Sequence, residues 1–263
     1  MTIPKRVEVR IKSGLKRFKP ILDDARKADR SEEDTVTIVR DMLAEVLGYD
    51  KYRDITAEYE IRGTYCDLAV KIDDKVRFLI EVKAVDRALK EAHLRQATDY
   101  AAKEGIEWVI LSNGVEWRVY RMVFEQPVRY EHVFTIDLLR DEPDLINMLY
   151  MLSREGAKKR AIKQYHAQMR AISRYSLAAV MISEPVLNVI RRELRRAAPG
   201  IRIEAGDVED AITHEVIKRD VMDSPEVQDA IKRIQKIQKA RSRKLRDRRR
   251  AETTPPASTA REC

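Results

Sequence analysis

The chain has 263 residues, of which 44% are hydrophobic and 37% charged, with a net charge of +8. The apolar share supports a sizeable core, while the charged share is well above the rough quarter usual in soluble domains. Two cysteines, Cys66 and Cys263, exclude a disulfide framework and a four-cysteine zinc site and fit a reducing compartment. No apolar run reaches membrane-spanning length and the first residues lack a signal-peptide core, so the expected location is the cytoplasm, away from membranes.

In chain order, residues 1–30 form a charged N-terminal extension, with a helix expected around Leu15 to Ala28. Ser31 is placed to cap a helix over EEDTVTIVRDMLAEVL, where Val36, Val39, Met42, Leu43, Val46 and Leu47 recur at helical spacing. Glu32, Glu33 and Asp34 lie in its first turn, where the helix dipole favours acids. Gly48 is the expected stop. The period then changes. ITAEYEI, YCDLAVKI and VRFLIEVKA read as strands. RALKEAHLRQATDYAAKEG reads as a helix, and IEWVILSNG and VEWRVYRMV as a hairpin turning at Asn113-Gly114. The expected class is α/β, a mixed sheet flanked by helices.

Beyond Arg129 the pattern reads as helical. One helix is expected over 136–153 and another over 157–181, then EPVLNVIRRELRRA and VEDAITHEVIKRDVM, the latter capped by Asp207 or Asp210. Ser224-Pro225 opens a last, basic helix. The expected boundaries are 31–155 for the α/β domain, 156–224 for a smaller all-helical domain, 225–250 for the basic helix and 251–263 for a disordered tail.

The charge is uneven. From Glu226 onward there are twelve Lys or Arg against five Asp or Glu, so seven of the eight net positive charges fall there. Lys232, Arg233, Lys236, Lys239, Arg241, Arg243 and Lys244 are candidate contacts to a nucleic-acid backbone. A solvated helix, or a contact for an acidic protein, accounts for them equally well.

The stretch FLIEVKA places Glu81 and Lys83 inside an apolar run, on one face of a strand. A hairpin centred on Asp74 pairs residues whose numbers sum to 148, which sets Asp67 opposite Glu81. That pairing requires a three-residue loop or a bulge. Two carboxylates and an ammonium on one patch suit a hard divalent ion, Mg²⁺ or Mn²⁺, and phosphodiester hydrolysis. The plainer alternative is a cross-strand salt bridge.

Asp67 followed by Glu81-Val82-Lys83 on the next strand resembles the signature of the PD-(D/E)xK nuclease superfamily. The acidic helix start, the following Gly48-Tyr49, Gln96-x-x-x-Tyr100 and the Asn-Gly hairpin narrow the likeness. Over roughly residues 30–125 the chain is similar to the N-terminal nuclease domain of type I restriction enzyme R subunits. The resemblance implies a restriction-endonuclease-like fold, a metal-dependent deoxyribonuclease and DNA as partner. It makes Asp67 and Glu81 metal ligands, with Glu32, or its neighbour Glu33, completing the set. Lys83 becomes the catalytic lysine, Gln96 a supporting catalytic residue and Tyr100 a residue that organises the site or holds DNA. Asp67 here lacks the proline that usually precedes it; Tyr65-Cys66 stands there instead. R subunits also carry a translocating motor. This sequence has no G-x-x-x-x-G-K-[ST] loop, so the expectation is a nuclease core whose motor or specificity protein comes in trans. A catalytically silent binding module with the same fold is the alternative.

Overall fold

The structure, a computed structural model, describes residues 2–61 and 64–252. Two units emerge from the distribution of contacts, divided after His166. The sequence reading sets that boundary at 155.

The first unit begins with α1 (Lys5–Lys27) and α2 (Glu32–Glu45). Helix α1 starts ten residues earlier than expected. The reason is a stripe of Val7, Ile11, Leu15, Phe18 and Leu22, hidden among charges but buried on one face. The N-terminal segment is therefore part of the main core. Ser31 caps α2 as expected, its Oγ accepting from Asp34 N at 3.2 Å. Gly48, at φ 80°, closes the helix end.

The sheet has six strands in sequential order: β1 (Ile55–Ile61), β2 (Thr64–Ile72), β3 (Lys75–Val82), β4 (Trp108–Ser112), β5 (Glu116–Val123) and β6 (Arg129–Asp137). All neighbours are antiparallel except β3 and β4, which are parallel. A parallel pair needs a crossover, and α3 (Leu94–Glu104) lies within it. Helix α3 is shorter than expected. The mixed α/β class stands. The β4–β5 hairpin also stands, with Gly114 at φ 83°. Its turn residues are Gly114 and Val115, since Asn113 N donates to Glu116 O.

Strand β6 corrects the reading that the chain turns helical beyond Arg129. Its residues alternate, but the outward set is polar and the exposed edge carries Arg129 and His132. The helix expected over 136–153 is α4 (Leu145–Leu152), preceded by Pro143 and an acidic turn.

Strands β3 and β4 are buried on both faces. Phe78, Ile80, Val82 and Ile110 join a large core with α1, α2 and α4. Leu79, Val109 and Leu111 join a second layer with Ala97, Tyr100 and Ala101 of α3. Short helices α5 (Arg154–Lys158) and α6 (Ala161–Ala171) follow. Arg10 ties α1 to α5 through Glu155, at 2.7 and 2.9 Å.

The second unit holds α7 (Arg174–Met181), α8 (Glu184–Ala197), α9 (Ala205–Ala211), α10 (Arg219–Met222) and α11 (Pro225–Glu252). The helix expected over 157–181 is thus broken into pieces. Asp207 acts in the cap of α9 from inside, its carboxylate accepting from Glu204 N at 2.8 Å. Two small clusters hold this unit, one around Ala178, Val221 and Val227 and one around Leu187, Val208 and Ile212. Of the tail expected to be disordered, residues 251–252 end α11 and the rest lies outside the described residues.

Candidate active site

The hairpin that carries the site obeys the number sum, by the bulge rather than by the three-residue loop. Ile72 pairs with Lys75, so the turn has only two residues, Asp73 and Asp74, at φ 50° and 59°. Aspartate tolerates that left-handed conformation. A bulge between Val70 and Lys71 then shifts the register by one. From there Val70 faces Phe78, Ala69 faces Leu79 and Leu68 faces Ile80. The next positions outward are Asp67 and Glu81. By strand alternation they share the face of Ala69 and Leu79.

Each charged group is held. Asp67 Oδ2 accepts from Val82 N at 2.6 Å. Lys83 follows β3 directly, its backbone N donating to Ser112 O at 2.8 Å and so extending the β3–β4 ladder. Its ammonium donates to Glu81 Oε1 at 2.9 Å and to Glu32 Oε1 at 3.0 Å. Glu32 reaches it from the first turn of α2, which Ser31 caps. Beyond Lys83, Asn113 Nδ2 donates to Arg87 O at 3.0 Å and anchors the loop.

The electrostatics follow from burial. Glu81 is 5% exposed. Its Oε1 is paired with Lys83, but its Oε2 is buried with no hydrogen-bond partner. Burial first, then the Asp67 charge, push its carboxyl up to about 7, against the pull of Lys83. Burial also raises Asp67, offset in part by the Val82 N–H and Lys83. For Lys83, burial works against the charge, but Glu81 and Glu32 outweigh it and raise its pKa. Cys66 beside Asp67 is fully buried and its thiol is pushed up to about 12, by burial first and the two carboxylates second. It faces the core as free cysteines tend to, donating to Ile80 O at 3.4 Å.

The structure thus joins Glu32, Glu81 and Lys83 in one hydrogen-bonded network, with Asp67 held on Val82 N beside it. Among the described residues, no three His, Cys, Asp or Glu side chains are gathered as a ready metal cage. Glu32 is engaged by the lysine. Glu81 Oε2 is the atom that still needs a partner, and with Asp67 it presents the hard oxygen donors a divalent ion takes. Gln96 lies on α3, its side chain outside the described residues. Of the two roles expected for Tyr100, organising the site or holding DNA, burial speaks against the second. Its ring is 3% exposed and packed in the layer with Ala69 and Leu79, so it is not a surface for DNA.

One neighbour escaped the sequence reading. His93 lies in the field of Lys83, Lys90 and Arg87, which with burial, the largest cause, lower its pKa. No spacing rule marks it, because it reaches the site only through the crossover that precedes α3.

Residues 32–136 match the model of the type I restriction enzyme R protein N terminus. The R-protein N-terminal match starts at Glu32 and ends at Ile136, near the end of β6, so it spans every element that positions the site. The resemblance to the N-terminal domain of type I restriction enzyme R subunits therefore stands. The match covers less than half of the chain and none of the second unit. Neither the curated proteins nor the solved structures yield a match to this chain.

In that second unit the basic residues separate into two kinds. Lys232, Lys236, Lys239, Arg241, Arg243 and Lys244 are exposed along α11. Arg233 is not. Its Nη2 donates to Ser176 Oγ at 2.5 Å, and burial lowers its pKa, so it braces α11 against α7. It drops from the candidate nucleic-acid surface. No helix among the described residues is long and apolar enough to cross a membrane.

Proposed function

We propose that the first unit is a metal-dependent nuclease core that hydrolyses DNA phosphodiester bonds. The observation that carries this reading is Glu81 Oε2, buried and unpartnered beside Asp67 and Lys83. A structural salt bridge would satisfy both carboxylate oxygens or leave them in water. Here one oxygen is desolvated and unpaired, which costs free energy that a cation would offset.

Asp67 and Glu81 would hold Mg²⁺ or Mn²⁺, with Glu32 as the third acid of the network. The ion, when bound, would polarise the phosphate and lower the pKa of a bound water. Lys83 then orients the attacking water or offsets charge building on the phosphate. Its two carboxylate bonds fix where the ammonium points, and Glu81 first, then Glu32, keep it protonated. The exposed cations of α11 supply sequence-independent attraction to the phosphate backbone. The core would act alone or together with a translocating or specificity protein.

The test is the full-length protein with supercoiled plasmid and with single-stranded DNA, in Mg²⁺, Mn²⁺ or EDTA. Cleavage in either metal and none in EDTA is the expected result. Salt-sensitive DNA binding without cleavage in any metal would instead establish the second reading, a silent binding module. That reading draws on the engagement of Glu32 by Lys83 rather than by an acid cage.

A further inference from the structure

A second pocket lies in the first unit, at the opposite end of the strands that carry the site. It is a cavity of about 290 Å³, bordered by Arg77, Phe78, Glu107, Trp108, Arg160 and Lys163. Arg77 and Trp108 stand at the starts of β3 and β4, whereas Glu81 and Lys83 stand at the end of β3. Glu81 lies four positions beyond Arg77 along the strand, roughly 13 Å at the usual rise.

The charge balance of the pocket is lopsided. Glu107 is its one acidic wall residue. That carboxylate is already shared between Arg121 Nε at 3.0 Å and Lys163 Nζ at 3.7 Å. Neither Arg77 nor Arg160 forms an ion pair with a carboxylate among the described residues. Arg77 Nε is also buried with no hydrogen-bond partner. A guanidinium N–H stripped of water and left unpaired is costly. Helix α3 ends beside the pocket, and the half unit of negative charge at a helix C-terminus is smaller than the charge of three cations. At the rim, a Cβ on Gly105 would meet nothing within 4 Å, which leaves the mouth open.

We propose that this pocket binds the phosphate group of a single nucleotide, either free or at the end of a DNA strand. Arginine forks match phosphate geometry and pair with it strongly. The volume lies at the small end of ligand pockets, which suits one nucleotide and no more. Phe78 and Trp108 supply an apolar wall against which a sugar or base can lie. The site stands apart from Asp67, Glu81 and Lys83 and does not depend on their being catalytic.

Calorimetric titration of the full-length protein in EDTA tests this. The probes are a deoxynucleoside 5′-monophosphate, its parent nucleoside, and a short oligonucleotide with a 5′-phosphate or a 5′-hydroxyl. The monophosphate should bind and the nucleoside should not. The double variant Arg160→Gln/Lys163→Gln, altered only at exposed positions, should weaken binding by ~10-fold or more with an unchanged circular dichroism spectrum. Asp67→Asn should leave the affinity unchanged, which separates this pocket from the candidate active site. Displacement of the monophosphate by the 5′-phosphorylated strand but not by its hydroxyl twin assigns a strand end; no displacement by either assigns a free nucleotide. Absence of monophosphate binding, equal binding of the nucleoside, or full affinity in the double variant overturns the proposal.

Discussion

The two units spend their apolar residues differently. In the first, α1, α2, α4 and all six strands feed one large core, and α3 closes a second layer behind the sheet. In the second, three residues anchor each of two small clusters. Met169, Ile172, Leu177, Val189, Leu194, Ile201 and Ile237 remain exposed there. A deep core can carry a buried, partly unsatisfied charged network such as Glu81 with Lys83, because many apolar contacts offset its cost. Small clusters cannot. The difference suggests why the charged site lies in the first unit, while the second displays its charges in water.

The largest effects should come from breaking the first core. Trp117 is almost fully buried and its Nε1 donates to Gly114 O at 2.9 Å. Trp117→Ala should destabilise the first unit by about 3–5 kcal/mol. Leu187→Ala in the second unit should cost about 2 kcal/mol, at the low end for such truncations, because its surroundings can collapse. Denaturant melts followed by hydrogen exchange would check both, and equal costs would remove the contrast between the units.

Next in size is the pH dependence of the site. Glu81 has its folded pKa raised to about 7 from 4.5. The folded state therefore favours the protonated acid. Stability from this group is fully present below the ordinary glutamate range and is lost as pH rises through about 7. Glu81→Gln removes that loss. The variant should be more stable than the parent at pH 8, by about 1–2 kcal/mol, and indistinguishable at pH 4. Thermal melts at the two pH values decide it, and a variant less stable at pH 8 would contradict the assigned sign. Added Mg²⁺ should stabilise the parent at pH 8 and not the variant.

How far this site was legible depended on which residue carried the information. The sum of 148 placed Asp67 opposite Glu81, and the register agrees, but sequence could not show that a two-residue turn plus a bulge would produce it. A three-residue loop and a bulge each add one residue to the same count, so they are indistinguishable from composition. The stripe in α1 was masked by lysines and arginines that fill its outer face. Strand β6 was missed because an edge strand keeps polar residues on its open side, which weakens the alternation that marks a strand. Tyr100 was a functional partner of Gln96 only by the family resemblance, since spacing alone fits ordinary packing as well. Only packing shows that its ring belongs to the layer behind the sheet.

Smaller effects sharpen the comparison. Ser31→Ala removes the cap of α2 and should cost about 1 kcal/mol. It also loosens Glu32, so any cleavage should fall more than stability does, and a loss confined to stability would detach Glu32 from the site. Neutralising Lys236, Lys239 and Arg243 should weaken DNA binding and flatten its salt dependence by about three units of slope. First-unit melting should be unaffected. Filter binding across a salt series reads this out, and an unchanged slope would make α11 a solvated helix.

The most direct measurement is Mg²⁺-dependent cleavage of end-labelled DNA by the full-length protein and by Asp67→Asn. Asparagine can still accept from Val82 N, so the hairpin should fold as before. Cleavage by the parent and a loss of about 10²-fold or more in the variant are expected, with matching circular dichroism spectra. Equal cleavage by both proteins would contradict Asp67 as a metal ligand.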